Sequence, residues 1–136
     1  MRAALARLAV IPFETAIAVL LIGSGTAQLA RIGITDPVQV LLPAWEAFAL
    51  SAVTIVTGLL MVTGTAAASR GAEIAGLLLL AAVIADRFLL YGWYLGFGLN
   101  FAVTGVFDSA VIWAALARLA TVRRGETIIR VRNAGG

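Results

Sequence analysis

The sequence has no cysteine, no histidine and no lysine among its 136 residues. Without cysteine there are no disulfides, no thiol redox chemistry and no thiolate metal sites. Without histidine the chain lacks the usual ligand of haem, copper and zinc, and the usual base at neutral pH. We therefore predict no cofactor and no metal on this chain. Any redox centre would belong to a partner, and any proton chemistry would use carboxylates, arginine or tyrosine.

Charge is also scarce, because 12% of the residues are charged and 62% are hydrophobic. The mean hydropathy is +1.03, and this composition is typical of an integral membrane protein. The length allows one bundle and no separate soluble domain. The formal charge of +3 lies mostly after Arg118, which indicates a cytoplasmic flank rather than a nucleic-acid surface. We therefore expect no nucleic-acid partner.

Four apolar stretches predict an all-α, polytopic membrane protein, a four-helix transmembrane bundle within residues 1–121. Each stretch is close to the ~20 residues needed to cross the hydrocarbon core; they cover about 11–29, 37–62, 72–93 and 101–121. Asp36 and Pro37 suit the start of the second helix, Pro43 is expected to kink it, and Asn100 is a candidate cap of the fourth. For the basic cytoplasmic tail, residues 122–136, we expect disorder or adhesion to anionic headgroups. A short strand over 126–132 is the alternative.

The arginines orient the predicted bundle. Most lie at one set of helix ends: Arg2, Arg7, Arg70, Arg118, Arg123, Arg124, Arg130 and Arg132. Only Arg31 falls in a loop on the other side, so the positive-inside rule places both termini in the cytoplasm. The expected location is a bacterial plasma membrane. The basic start and the small residues from Gly23 to Ala27 also resemble a signal peptide. Cleavage would leave three spans with the basic tail on the wrong side, so the charge asymmetry argues against it.

Four charged residues are predicted to share one layer in the outer half of the membrane: Glu46, Asp86, Arg87 and Asp108. At ~1.5 Å per residue, Asp86 lies roughly 10 Å below the outer interface and Asp108 about 12 Å. Charges in hydrocarbon are costly, so they usually face a protein interior, a partner or a wet cavity. One interpretation is an ion-paired network that fixes helix register. Another is a pocket in which a carboxylate titrates near neutrality, with Asp86, Arg87 and Asp108 as the candidate catalytic groups.

Glu14 is predicted on the opposite, inner side, where it would snorkel to the interface or pair with Arg7. A first-helix glutamate is also similar to that of small multidrug transporters, whose shared site takes protons and cationic drugs. Their third-helix glycine and tryptophan pattern is missing here. Helix packing is predicted along stripes of small residues: Ala47, Ser51, Thr54 and Gly58 on the second helix, and Gly105 and Ser109 on the fourth.

The first half of the chain carries a further pattern. Arg7-Leu8 opens the first helix, small residues end it, a proline-containing loop follows, and the second helix ends in the glycine- and leucine-rich run 57–64. In these features the chain resembles the DoxX-like group of small four-helix membrane proteins. The acid expected earlier in that second helix is replaced near Thr54 or displaced to Glu46, and the lysine expected after the first helix is absent. The resemblance implies an accessory subunit of a membrane redox system.

Three functional hypotheses follow. The first is a non-catalytic accessory or assembly subunit of a larger plasma-membrane complex, respiratory or photosynthetic. The second is a small homo-oligomeric transporter or channel with a path lined by Glu46, Asp86 and Asp108. The third is a membrane enzyme that uses Asp86, Arg87 and Asp108 as acid and base on a lipid-like substrate. The expected partners are membrane lipids, other membrane subunits or further copies of the chain.

Overall fold

The structure, a computed structural model, describes residues 1–30, 40–123 and 132–135. The described residues are helical, without a strand among them. The main helices are α1 (Arg2–Val10), α2 (Pro12–Leu29), α3 (Ala44–Ala66), α4 (Arg70–Leu95) and α5 (Leu99–Arg123). A last helical turn covers 132–135. The all-α prediction is therefore confirmed for this part of the chain.

Three of these helices, α3, α4 and α5, are long and apolar enough to cross a membrane. The α1 and α2 helices pass the same test only together, and they are bent by 106° at Ile11. The described residues thus contain three candidate spans, or four if the bent pair forms one. Pro12 stands at the first position of α2, where its missing N–H is not needed and its fixed φ suits a helix start.

The helices pack in chain order, α2 on α3, α3 on α4 and α4 on α5, while α1 lies against α3. Glycines set the close approach of α2 and α3. A Cβ at Gly58 would lie 2.6 Å from the carbonyl oxygen of Ala18, and one at Gly25 would lie 2.7 Å from the side chain of Ile55. Only glycine therefore fits at these two crossings without moving a helix.

The α3–α4 pair is joined by a tight turn in which Ala68 has a positive φ of 53°. The Ser69 N–H donates to the carbonyl oxygen of Gly64 at 2.7 Å. Gly64 itself faces the backbone of Glu73, where a Cβ would be 2.6 Å from the nitrogen. The α4–α5 contact is formed by aromatic packing. The ring of Phe88 lies over Gly105 and stacks on the ring of Phe101, with 4.4 Å between the two ring centroids.

The hydrophobic core lies towards one end of the molecule, where α2 begins, α3 ends, α4 begins and α5 ends. All four helices contribute buried residues to it: Ala18, Met61, Leu77, Leu80, Ala115 and Val122. We call this the arginine end, because Arg7, Arg70 and Arg123 lie there. Arg7 Nη1 donates to the carbonyl oxygen of Ala66 at 2.8 Å, and Arg70 Nη2 donates to that of Arg123. These donors satisfy carbonyls that the last turns of α3 and α5 leave open.

The second membrane helix is interrupted between the helical residues 40–41 and the start of α3. Pro43 has φ −52° and ψ 144° and precedes the first residue of α3, Ala44. Proline also disfavours helical geometry at the residue before it, Leu42. The helical backbone is therefore broken at Leu42 and Pro43 and resumes with α3 at Ala44. Asn100 is the second residue of α5 rather than its cap.

Two further predictions fall outside the described residues. Asp36 and Pro37 lie in 31–39, and most of the basic tail lies in 124–131.

Candidate functional site

The four charged residues of the predicted layer lie on three helices, in the half of the molecule away from the arginine end. Asp86 and Arg87, on α4, are exposed, whereas Glu46 on α3 and Asp108 on α5 are half-buried. Adjacent residues on a helix diverge by about 100°. Asp86 and Arg87 accordingly line two different cavities.

Asp86 lines the largest described cavity, which we call the α3–α4 groove. Its volume is about 400 Å³, and it is open to one side. Its walls are mostly aliphatic: Leu42, Leu50, Val53, Leu79, Val83 and Leu90. Two alanines, Ala49 and Ala82, also line it, and their small side chains leave the space that larger residues would fill. The size and the apolar walls are typical of small-molecule sites.

Two carboxylates, those of Asp86 and Glu46, line the α3–α4 groove, and both lie far from the arginine end. Asp86 is sixteen residues beyond Arg70, about 24 Å along α4. Glu46 is twenty residues before Ala66, about 30 Å along α3. The two acids therefore differ by only about 6 Å in height. Trp45, which also lines the groove, is 70% exposed.

Arg87 lines a second, smaller cavity of about 30 Å³ between α2, α3 and α4. Its polar lining is Ser24, Gln28, Thr54 and Arg87. A cavity of this size with several polar groups can hold one or two waters. Leu50 and Val83 line both this pocket and the α3–α4 groove, so these two side chains form a wall between them.

The polar stripe on α3 is satisfied largely by its own helix. The hydroxyls of Ser51, Thr54 and Thr57 donate to the carbonyl oxygens four residues earlier, at 2.7–2.8 Å. Such back-bonding gives a buried hydroxyl an acceptor within its own helix. Ser51, Thr54 and Gly58 are buried, so the predicted stripe of small residues is an internal packing face.

A buried ion-pair cluster that the sequence analysis did not single out lies at the arginine end. Arg118 Nε is 3.1 Å from Glu14 Oε1, and Arg118 Nη2 is 3.4 Å from Glu73 Oε1. The side chain of Glu73 is 5% exposed and that of Arg118 is 17% exposed. Glu14 therefore pairs with Arg118 on α5, and the predicted pairing with Arg7 is wrong because Arg7 binds the end of α3.

This Glu14–Arg118–Glu73 cluster holds one positive and two negative formal charges. A cavity of about 10 Å³ adjoins it, room for about one water. One guanidinium shared by two carboxylates ties α2, α4 and α5 together.

A signal for the cluster is present in the sequence. Glu14 is near the start of α2, Glu73 near the start of α4 and Arg118 near the end of α5. In antiparallel helices these positions fall at one level. The depth of a residue in the membrane, estimated from its distance along the helix, grouped the charges of the outer half. The same estimate applied to the inner half would have grouped Glu14, Glu73 and Arg118. No group of three acidic residues in the described part of the chain is arranged to hold a metal ion.

These observations define a class: a helical membrane protein with several long apolar helices, a charged cluster at one end and a lateral groove. No known family model, curated protein or solved structure matches the chain. The resemblance to the DoxX-like group therefore stays a prediction.

Proposed function

We propose that this chain is a non-catalytic accessory or assembly subunit of a larger membrane complex. The observation that supports this proposal most directly is the lack of cover on α5. Only 6% of its most apolar 18-residue stretch is buried, against 33% for α3. A helix that packs on one neighbour leaves most of its surface for lipid or for another protein.

The exposed α5 surface carries both small and large side chains. Small residues recur there at helical spacing: Ala102, Ser109, Ala110, Ala114 and Ala117 are all exposed. In lipid, small residues allow helix backbones to approach closely, and hydroxyls bond across the interface. We call this the α5 face. The large side chains of Val106, Phe107 and Trp113 are exposed between the small ones, so a partner helix would approach at the small positions and pack against these side chains.

The proposed location is a bacterial plasma membrane, with both termini on the cytoplasmic side. Arg7, Arg70, Arg118 and Arg123 are gathered at one end of the molecule. The positive-inside rule assigns such an end to the cytoplasm.

Purification from the native membrane in a mild detergent, followed by mass spectrometry, tests the proposal. We expect larger subunits at fixed stoichiometry, and their loss when Ala110→Leu or Ala114→Leu crowds the α5 face. Ala16→Leu, at an exposed alanine of α2, is the matched control and should retain them. Recovery of the chain alone, or equal recovery from all three variants, would contradict the proposal.

A second candidate function, a small homo-oligomeric transporter, is favoured by the two cavities on either side of Leu50 and Val83. One is a lateral groove with Glu46 and Asp86, and the other is a polar pocket with Arg87. A liposome flux assay with Asp86→Asn tests it, and unchanged flux would count against it. An enzyme has less support, because the α3–α4 groove contains Asp86 but neither Arg87 nor Asp108.

A further inference from the structure

The α3–α4 groove has the volume of a small-molecule site. Its volume of about 400 Å³ lies within the ~300–1,000 Å³ of typical small-molecule pockets. The groove is open to one side, so its occupant can enter from the membrane.

The charges in the groove select the sign of the occupant. Glu46 and Asp86 give it a formal charge of −2, and no basic side chain is among its described lining residues. Two carboxylates about 6 Å apart in height, at the end of an aliphatic cleft, complement a positive group attached to an apolar body. A phospholipid is a poor fit, because its phosphate would lie near the same carboxylates.

Trp45 adds a second feature that suits a cation. It is next to Glu46 in the chain and lines the same groove. The face of an indole attracts ammonium and guanidinium groups within about 6 Å of the ring. An aromatic ring beside carboxylates is a common way to hold a weakly hydrated organic cation.

We propose that the α3–α4 groove binds an amphipathic organic cation. The positive group lies between Glu46 and Asp86 near Trp45, and the apolar body lies along Leu50, Val53 and Leu79. This site is separate from the α5 face. It therefore goes beyond the assembly role and stands even if no partner docks on α5.

The test is a calorimetric titration of tetraphenylphosphonium into the purified full chain in a nonionic maltoside detergent. Saturable binding near one site per chain is expected. Glu46→Gln or Asp86→Asn should weaken it at least about fivefold, and the double variant at least about twentyfold. Asp108→Asn removes the same unit of charge outside the groove and should leave the affinity unchanged.

Two further measurements separate charge from volume. Tetraphenylborate has nearly the same shape with the opposite charge, and it should not bind. Ala82→Phe keeps both carboxylates and fills the cleft, so it should abolish binding while the helical circular dichroism and the elution volume stay native. If that variant does not fold, Ala49→Val, a smaller change in the same cleft, takes its place and should weaken binding.

Equal binding of the borate, or unchanged affinity in the Glu46→Gln/Asp86→Asn double variant, would overturn the proposal. A folded Ala82→Phe variant that binds tetraphenylphosphonium with the affinity of the wild type would also overturn it. Restored affinity in Glu46→Asp relative to Glu46→Gln would support it, because that change keeps the charge.

Discussion

Arg118 Nε on α5 lies 3.1 Å from Glu14 Oε1 on α2, and the same guanidinium reaches Glu73 on α4 at 3.4 Å. One side chain thus links α2, α4 and α5 at the arginine end. This cluster and the hydrophobic core beside it hold these helices together at the arginine end.

Arg118→Met should lower the free energy of unfolding by about 3 kcal/mol, because it leaves the Glu73 carboxylate buried without its cation. Adding Glu73→Met should restore most of that loss, since an apolar side chain of similar size removes the stranded charge. Denaturant titration in detergent micelles measures both. Arg123→Met, at an exposed position, is the control and should change stability by less than about 0.5 kcal/mol. A double variant as unstable as the single one would show that the ion pairs do not account for the effect.

Gly58→Ala should destabilise the α2–α3 contact by about 1–3 kcal/mol. The new Cβ would lie 2.6 Å from the Ala18 carbonyl oxygen, which is backbone and cannot move aside alone. Gly23→Ala is the matched change within α2, where a Cβ meets nothing within 4 Å. It should leave the melting temperature the same or slightly higher, because alanine is the better helix former. Equal effects of the two substitutions would mean that α2 and α3 do not cross at Gly58.

Arg7→Gln should loosen α1. The guanidinium donates a charge-assisted bond to the Ala66 carbonyl at the end of α3, and such bonds contribute roughly 1.5 kcal/mol. Amide hydrogen exchange over residues 2–10 should therefore rise about tenfold. Arg2→Gln, at an exposed position of the same helix, should leave the exchange rates unchanged. Fast exchange of α1 already in the wild type would contradict this prediction.

The orientation can be read with single cysteines, because the natural chain has none. Ser69 lies in the α3–α4 turn and Gly98 in the α4–α5 turn, and both are exposed. In intact cells a membrane-impermeant maleimide should label the Gly98→Cys variant and not the Ser69→Cys variant. After the membrane is permeabilised, it should label both. The reverse pattern would place the arginine end outside, and labelling of both would show that α4 does not span.

Hydropathy placed the apolar runs of α4 and α5 within helices, because an apolar run that must satisfy its backbone in lipid has few alternatives to a helix. It was less accurate for the predicted 37–62, because α3 ends at Ala66, four residues later. The predicted 72–93 and 101–121 lie inside α4 and α5, each of which extends two residues further at both ends. Arg70 and Arg123 occupy the added first and last positions. Arginine is a good helix former, so these helices continue past the apolar run.

The pairing of charged side chains was less accessible from the sequence. Arg118 was counted among the cytoplasmic flank because it begins an arginine-rich region, although its side chain is only 17% exposed. Hydropathy gives the depth of a residue but not the direction in which it points around the helix. That direction depends on contacts between helices, such as that of Gly58 of α3 with α2 and that of Gly64 of α3 with α4.

The 106° bend at Ile11 has a consequence for the surrounding lipid. With α1 turned aside, the 18 residues of α2 measure about 27 Å, whereas the 26 residues of α4 measure about 39 Å. A hydrocarbon core is about 30 Å thick, so α4 is long enough to cross it with its ends among the headgroups, whereas α2 by itself is slightly too short. Lipids beside α2 would be compressed, and those beside α4 would not. We therefore expect the protein to be more stable in a thin bilayer than in a thick one, where α2 would be too short to cross the hydrocarbon core.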